Sequence, residues 1–261
     1  GINNIGNTCY LNSVIQCLSH LFLFNKANMD FMLEGSNIKN NKLLYEWFML
    51  QDELVNNNGS IDSSKFVSEF MNNIKNHNYY FDSFEQNDAS EFITILLESF
   101  HEQIKQKKKM TIDGIPQSNL DNLAIKSMKS WIAFFKDSYS YIIKKSYSQL
   151  LTTITCPNCN YETHSHDPIQ VLALPVKNHC NTIQDCFNIF IQKNTLDKDN
   201  SWKCDNCNNY VQSSEQTFIW NNSELLIIQL KIYTKYQKIT KHIEFPDILD
   251  ISEYTINYNN V

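Results

Sequence analysis

The chain has 261 residues, 42% apolar and 19% charged, which is enough for a packed core and excludes a disordered segment. A formal net charge of −6 argues against nucleic acid as a partner and leaves room for a basic one. No run approaches the ~20 apolar residues of a membrane helix, so no membrane span is expected.

The first seventeen residues carry the most information. A polar, glycine-bearing loop, Gly1 to Thr8, runs into Cys9. Tyr10, Leu11, Val14, Ile15, Leu18, Leu21 and Phe22 then recur at three and four, which predicts a helix with one buried face. Asn7 and Thr8 are residue types that start helices, which puts Cys9 at the N-terminus. Unpaired backbone N–H groups and the helix dipole favour negative charge there, and the thiolate is the reactive form of cysteine. The alternative is a buried core thiol, the commoner state of a free cysteine.

Two further amphipathic patterns follow. Leu43, Leu44, Trp47, Phe48 and Leu54 form one; Phe66, Val67, Phe70, Met71 and Ile74 form the other. In Phe84 to Phe100, the residues Phe92, Ile93, Leu96, Leu97 and Phe100 make a third helical face. Asp88 and Glu91 at its start have capping-box spacing. They either cap the helix or offer charge to a basic ligand, and one residue can do both. Lys105 to Lys109 reads as a solvated helix end, residues 110–122 as a loop, and the aromatic-rich stretch from Trp131 to Tyr147 as a helix followed by a strand.

From about residue 150 the character changes to strands. Leu150–Thr155, Ile169–Pro175, Gln216–Trp220, Glu224–Leu230, Ile239–Phe245 and Tyr254–Val261 are strand candidates, with a short helix over Thr182–Lys193. Glu224–Leu230 is apolar enough to be central in a sheet. A helical first part and a stranded second part predict an α+β fold.

Eight cysteines without a secretory signal point to a reducing, intracellular compartment, cytoplasm or nucleus. Four form two Cys-x-x-Cys knuckles, Cys156/Cys159 and Cys204/Cys207. Two thiolates at i and i+3 grip a metal from a tight turn, and two such turns complete the four-sulfur shell that suits a structural zinc. The alternatives are unrelated thiols or a redox pair. His164 and His166, near the first knuckle, are expected to be surface or hairpin histidines.

Together these segments resemble the ubiquitin-specific proteases. Gly1-Ile-Asn-Asn4-Ile-Gly-Asn-Thr-Cys9-Tyr-Leu-Asn-Ser-Val-Ile-Gln16 is similar to that family's cysteine box. Gln86-Asn-Asp88-Ala-Ser-Glu91-Phe92 resembles its Gln-Gln-Asp box, with Asn87 in place of the second Gln. The knuckles resemble its zinc-bearing fingers. Leu226 to Tyr233 resembles its Leu-Ile-Ile-x-Leu-Lys-Arg-Phe strand, and Ile243 to Asp250 its Phe-Pro-x-x-Leu-Asp segment. The resemblance implies a papain-like cysteine protease fold. A helical thumb would take residues 1–105, a connecting loop, helix and strand 106–149, zinc-tipped β fingers with part of the palm 150–222, and β-rich palm strands 223–261. It implies hydrolysis of the isopeptide or peptide bond after the C-terminal glycine of ubiquitin, with ubiquitin or ubiquitinated proteins as partners. Cys9 matches the nucleophile, Asn4 an oxyanion donor, and Gln86, Asp88 and Glu91 positions that support the cleft and hold the tail of ubiquitin.

The family's general-base histidine lies in a Gly-His-Tyr box, and none of the seven histidines matches it. The sequence also lacks an initiator Met. The expectation is a domain cut from a longer product before that box, nearly inactive by itself. The competing readings are a non-catalytic ubiquitin-binding module or scaffold and a protease for a ubiquitin-like modifier.

Overall fold

A computed structural model of the protein describes residues 1–33, 37–76, 85–136, 138–233 and 237–256. In chain order the elements are α1 (Cys9–Ser19), α2 (Met29–Leu33), α3 (Lys42–Asn56), α4 (Ser64–Asn76), α5 (Ala89–Ile104), β1 (Gln106–Lys107), α6 (Asn119–Phe135), β2 (Ser138–Tyr139) and α7 (Tyr141–Ser146). Then come β3 (Ser148–Thr155), β4 (Glu162–Ile169), β5 (Val171–Pro175), α8 (Ile183–Phe190), β6 (Asn194–Thr195), β7 (Trp202–Lys203), β8 (Tyr210–Val211), β9 (Ser214–Asn221) and β10 (Ile227–Lys231). The chain divides into two compact units, one of residues 1–108 with 137–145 and the other of 109–136 with 146–261.

The first unit is helical, and its core follows the sequence periodicity. Tyr10, Leu11, Val14, Ile15 and Leu18 of α1 are buried, as are Leu43, Leu44, Trp47 and Phe48 of α3 and Phe66, Val67, Phe70 and Ile74 of α4. Trp47 sits at the centre, with ring centroids 5.6 Å from Phe66 and 5.5 Å from Phe100, and its Nε1–H donates to Phe24 O at 2.9 Å. Such aromatic pairs add about 0.5–1.5 kcal/mol to their burial. α1 packs on α5 through Tyr10 and Phe92, edge to face at 5.8 Å. Phe22 is exposed, because α1 ends at Ser19 and the helical period lapses before it.

The second unit holds an antiparallel sheet in the order β4-β3-β9-β6, with α6 packed on β4. β5 and β10 pair in parallel, Leu172 opposite Ile228, and α8 packs on β5. Leu172, Leu174, Ile183, Cys186, Phe187, Ile219 and Tyr254 share one core, where Phe187 stacks on Tyr254 at 4.6 Å. A complete capping box, Thr182 with Asp185, starts α8.

Several local expectations change. Lys105 ends α5, but Gln106 and Lys107 form β1 against β2 instead of a solvated helix end. α6 begins at Asn119, inside the expected loop, because Ser118 accepts from the Asp121 N–H and caps it. Trp131–Tyr147 spans the end of α6, then β2 and α7, instead of one helix and one strand. β10 is half-buried and pairs only with β5 among the described residues, so it is not central. Ile239–Phe245 makes one isolated bridge, Glu244 to Thr182, and no strand. Ser252–Tyr254 is a 3₁₀ turn followed by a bridge from Thr255 to Ile219; residues 257–261 lie outside the described residues.

Candidate active site and metal centre

Cys9 is the first residue of α1 and is exposed, so it is not the buried core thiol of the alternative reading. The loop before it is tied down along its length. Asn3 N–H donates to Ile61 O at 2.8 Å, Ile61 N–H to Gly1 O at 2.8 Å, and Asn12 Nδ2 to Asn3 O at 3.1 Å. Gly6 has φ 145°, a conformation that side-chain-bearing residues rarely adopt.

Thr8 is the N-cap residue, yet its side chain makes no cap hydrogen bond. Its hydroxyl donates to Asn4 Oδ1 at 3.0 Å, and its backbone N–H donates to the same atom at 3.1 Å. Ile5 N–H in turn donates to Thr8 Oγ1 at 3.3 Å. Two donors on one carboxamide atom identify it as the oxygen, which assigns the amide orientation and leaves Nδ2 and its two hydrogens for another acceptor. The sequence marks Asn4 by resemblance, but it contains no direct sign that Thr8 orients it. The only cue is a Thr four residues after an Asn.

Gln86, Asp88 and Glu91 are all exposed at the start of α5. Asp88 caps the helix, accepting from Ser90 N–H at 2.7 Å. The Ser90 side-chain hydroxyl, ahead of backbone N–H groups, holds its carboxyl below the usual carboxylate range. The reciprocal half of a capping box is not formed, and Glu91 stays exposed with its charge toward solvent. Asn87 Nδ2 donates to the Tyr10 hydroxyl at 3.3 Å, which links this segment to the residue after Cys9.

In the second unit the four knuckle sulfurs lie within 4.8 Å of one another. Cys156 Sγ is 3.9 Å from Cys207 Sγ, and Cys159 Sγ is 3.6 Å from Cys204 Sγ. A tetrahedral zinc with Zn–S of about 2.3 Å requires S···S separations of about 3.8 Å, so the donor set fits that ion. The two knuckles repeat one turn. Cys156 N–H donates to Tyr161 O at 2.9 Å and Cys204 N–H to Asn209 O at 3.0 Å; Asn160 and Asn208, at φ 55° and 56°, bond back to the first cysteine of each pair. Asn is among the few residue types that enter this left-handed region readily. The repeated Cys-x-x-Cys-Asn sequence is therefore itself a sign of this turn, beyond the cysteine spacing.

The thiols also perturb one another. A hydrogen bond with the Asn206 side chain, then one from Tyr161 N–H, pushes Cys159 down to about 6. For Cys207 the Asn209 backbone N–H favours ionisation, but desolvation and the three neighbouring thiols outweigh it and push the group up to about 11. Four thiols this close do not all ionise without a cation between them.

The sequence profile described as ubiquitin carboxyl-terminal hydrolase matches residues 1–261. The chain belongs to this family. It is 26% identical over 98% of its length to ubiquitin carboxyl-terminal hydrolase 4 of Saccharomyces cerevisiae (strain YJM789), and 27% identical over its whole length to human ubiquitin carboxyl-terminal hydrolase 2. It spans 30% and 45% of those two proteins, less than half of each. Its fold is similar, with TM-score 0.72 and 20% identity, to a chain of the SAGA DUB module of Ubp8, Sgf11, Sus1 and Sgf73 bound to monoubiquitin; the match covers 98% of this chain and 54% of that one.

Two histidines of this family member are described in the unit that carries Cys9. His20 Nδ1 lies 2.7 Å from Gln16 O and 3.2 Å from Ser19 Oγ. His101 is buried, with Nδ1 2.8 Å from Ser140 Oγ and Nε2 3.3 Å from Ser138 Oγ, and burial lowers its pKa. Neither is hydrogen-bonded to Cys9 among the described residues. His77 lies outside them.

In the second unit both histidines lie in the β3–β4 hairpin, as the surface-or-hairpin expectation allows; His164 is half-buried and bonds Thr153 Oγ1 at 3.0 Å, and His166 is buried. It is 4% exposed in β4, with its ring 5.0 Å from Trp220, because the α6-facing side of the sheet covers it. Burial, then the His164 charge, pushes it down to about 4. A histidine whose folded pKa is depressed must take up a proton on unfolding, so stability is full above its unfolded pKa and falls as pH drops toward 4. Between about pH 6.5 and 4 the expected loss is about 1–3 kcal/mol. His166→Phe should flatten that part of the urea-denaturation profile. An unchanged slope in the variant would contradict it.

Proposed function

We propose that the protein carrying this chain is a deubiquitinating thiol protease that cleaves the isopeptide or peptide bond after the C-terminal glycine of ubiquitin. The observation that carries this reading is the exposed Cys9 at a helix N-terminus, five residues after an asparagine whose amide oxygen is already engaged. The names of its relatives, all ubiquitin carboxyl-terminal hydrolases, support it.

Cys9 Sγ attacks the glycine carbonyl carbon, and the carbonyl electron pair moves onto oxygen. Asn4 Nδ2–H donates to that oxyanion. Collapse breaks the C–N bond, the amine leaves with the proton that the Cys9 thiol gave up to the general base, and the thioester left on Cys9 is hydrolysed by water to the free carboxylate and thiol. This reading assigns the general base to neither His20 nor His101, since neither is hydrogen-bonded to Cys9 among the described residues. The four cysteines hold one structural zinc, which contributes no open position to the chemistry. Asp88 and Glu91 take the basic C-terminal tail of ubiquitin, Asp88 in addition to capping α5, and Gln86 supports the cleft.

Ubiquitin bearing a C-terminal alkyne should form a one-to-one adduct that mass spectrometry maps to Cys9. An adduct mapped to Cys17, which is also exposed, or one that persists in Cys9→Ala, overturns the assignment. Binding of ubiquitin with no adduct would favour the non-catalytic module instead. The acidic residues separate in a second experiment. Asp88→Ser keeps an N-cap oxygen and loses the charge. Together with Glu91→Gln it should raise KM for a ubiquitin fluorophore conjugate about two- to fivefold each, with kcat unchanged, and the effect should shrink in high salt. No change in KM at low salt would remove the tail-binding role.

A further inference from the structure

We infer that Thr8 is a positioning residue for the oxyanion donor: its hydroxyl fixes the Asn4 carboxamide so that Nδ2–H faces the reacting carbonyl. This rests on the thiol-protease reading above. Thr8 does not behave as its position dictates. A threonine at an N-cap ordinarily turns its hydroxyl forward to a first-turn N–H. Here it makes no such bond and points back to Asn4 Oδ1.

Two consequences follow from this one diversion. The first is orientation. An exposed asparagine has two nearly isoenergetic amide flips, and only one presents a donor to an oxyanion. The Thr8 hydroxyl and N–H both select the flip that puts Oδ1 inward. Thr8 is 3% exposed, and its Oγ1 is itself fixed by Ile5 N–H at 3.3 Å, so water does not compete freely for this bond. The second concerns the helix. The Thr8 side chain takes none of the N–H groups of the first turn of α1, where Cys9 sits, so its hydroxyl is spent on Asn4 and not on the helix. Valine has nearly the shape of threonine and removes only the hydroxyl, while the Thr8 backbone N–H bond to Asn4 survives it.

The test uses steady-state hydrolysis of a ubiquitin fluorophore conjugate by the full natural protein. Thr8→Val should lower kcat about tenfold with KM unchanged, a fraction of the ~10²–10³ expected for deleting the Asn4 donor outright. Thr8→Ser, which keeps the hydroxyl, should restore kcat to within about twofold of wild type. In an Asn4→Ala background, Thr8→Val should cost nothing further, because the group it positions is gone. Equal losses from Thr8→Val in both backgrounds, or a loss in Thr8→Ser as large as in Thr8→Val, would overturn the inference and make Thr8 merely structural. Should Thr8→Val not fold, as read by thermal unfolding, the Thr8→Ser and Thr8→Ala pair answers the same question. An Asn4→Ala variant with wild-type kcat would overturn both this inference and the Asn4 role beneath it. A loss confined to Asn4→Ala would overturn this inference alone.

Discussion

Cys9→Ala should lower turnover of a ubiquitin fluorophore conjugate by about 10⁴-fold or more and leave ubiquitin affinity within about threefold. The asymmetry is the informative part. Cys9 is a small side chain at the mouth of α1 and contributes no core burial, so its removal costs the chemistry and not the fold. Tyr10, Leu11, Val14 and Ile15, which hold α1 against the rest of the unit, are untouched. What remains after the substitution is binding plus the Asn4 donor, which stabilise a transition state that lacks its nucleophile. Cys9→Ala and Asn4→Ala should therefore be far from additive: once the thiol is gone, removing the amide changes little more. A Cys9→Ala protein that keeps more than a few per cent of its turnover would mean that another group attacks the carbonyl.

The helical unit was legible in the sequence because its signals are local. Trp47, Phe66, Phe70, Phe92 and Phe100 recur at helical spacing, and all are buried. The clustering of the four cysteines was legible for a similar reason, since each knuckle is a three-residue spacing and two such knuckles suit a four-thiolate site. Signals that depend on a partner far along the chain were not legible. Gln106 and Lys107 look like solvated helix end until Ser138 and Tyr139 arrive to pair with them. His166 is a hairpin histidine, as expected, but its burial depends on Trp220 far along the chain. Glu224 to Leu230 is apolar enough for a central strand, but apolarity does not specify how many neighbours a strand finds, and β10 is paired to β5 alone among the described residues. The orientation of Asn4 is a different case. It is local, but it depends on which of two acceptors the Thr8 hydroxyl chooses, and capping preference points to the other one.

Stripping the metal, or Cys204→Ser, should unfold the tip of the second unit and spare its core. The small cluster there contains only Cys156, Cys204 and Val211 as buried residues, with Cys159, Trp202 and Cys207 packed on them. Most of that cluster is the ligand set itself. β7 and β8 are two residues each, far below what holds a hairpin together in water. Among the described residues that cluster holds little else apolar to replace a metal, so the free energy of binding a zinc there, about 10–16 kcal/mol in small zinc modules, would be the folding free energy of the tip. The core around Leu172, Phe187 and Tyr254 has its own burial and should survive. Hydrogen exchange should thus lose protection across residues 156–161 and 202–211 after chelation and keep it in α8. Because the ligands bind as thiolates, release should also become easier as pH falls. Protein purified without chelator should carry one zinc per chain. A stoichiometry near zero, or protection at the knuckles that chelation leaves unchanged, would mean that the four thiols stay together for some other reason.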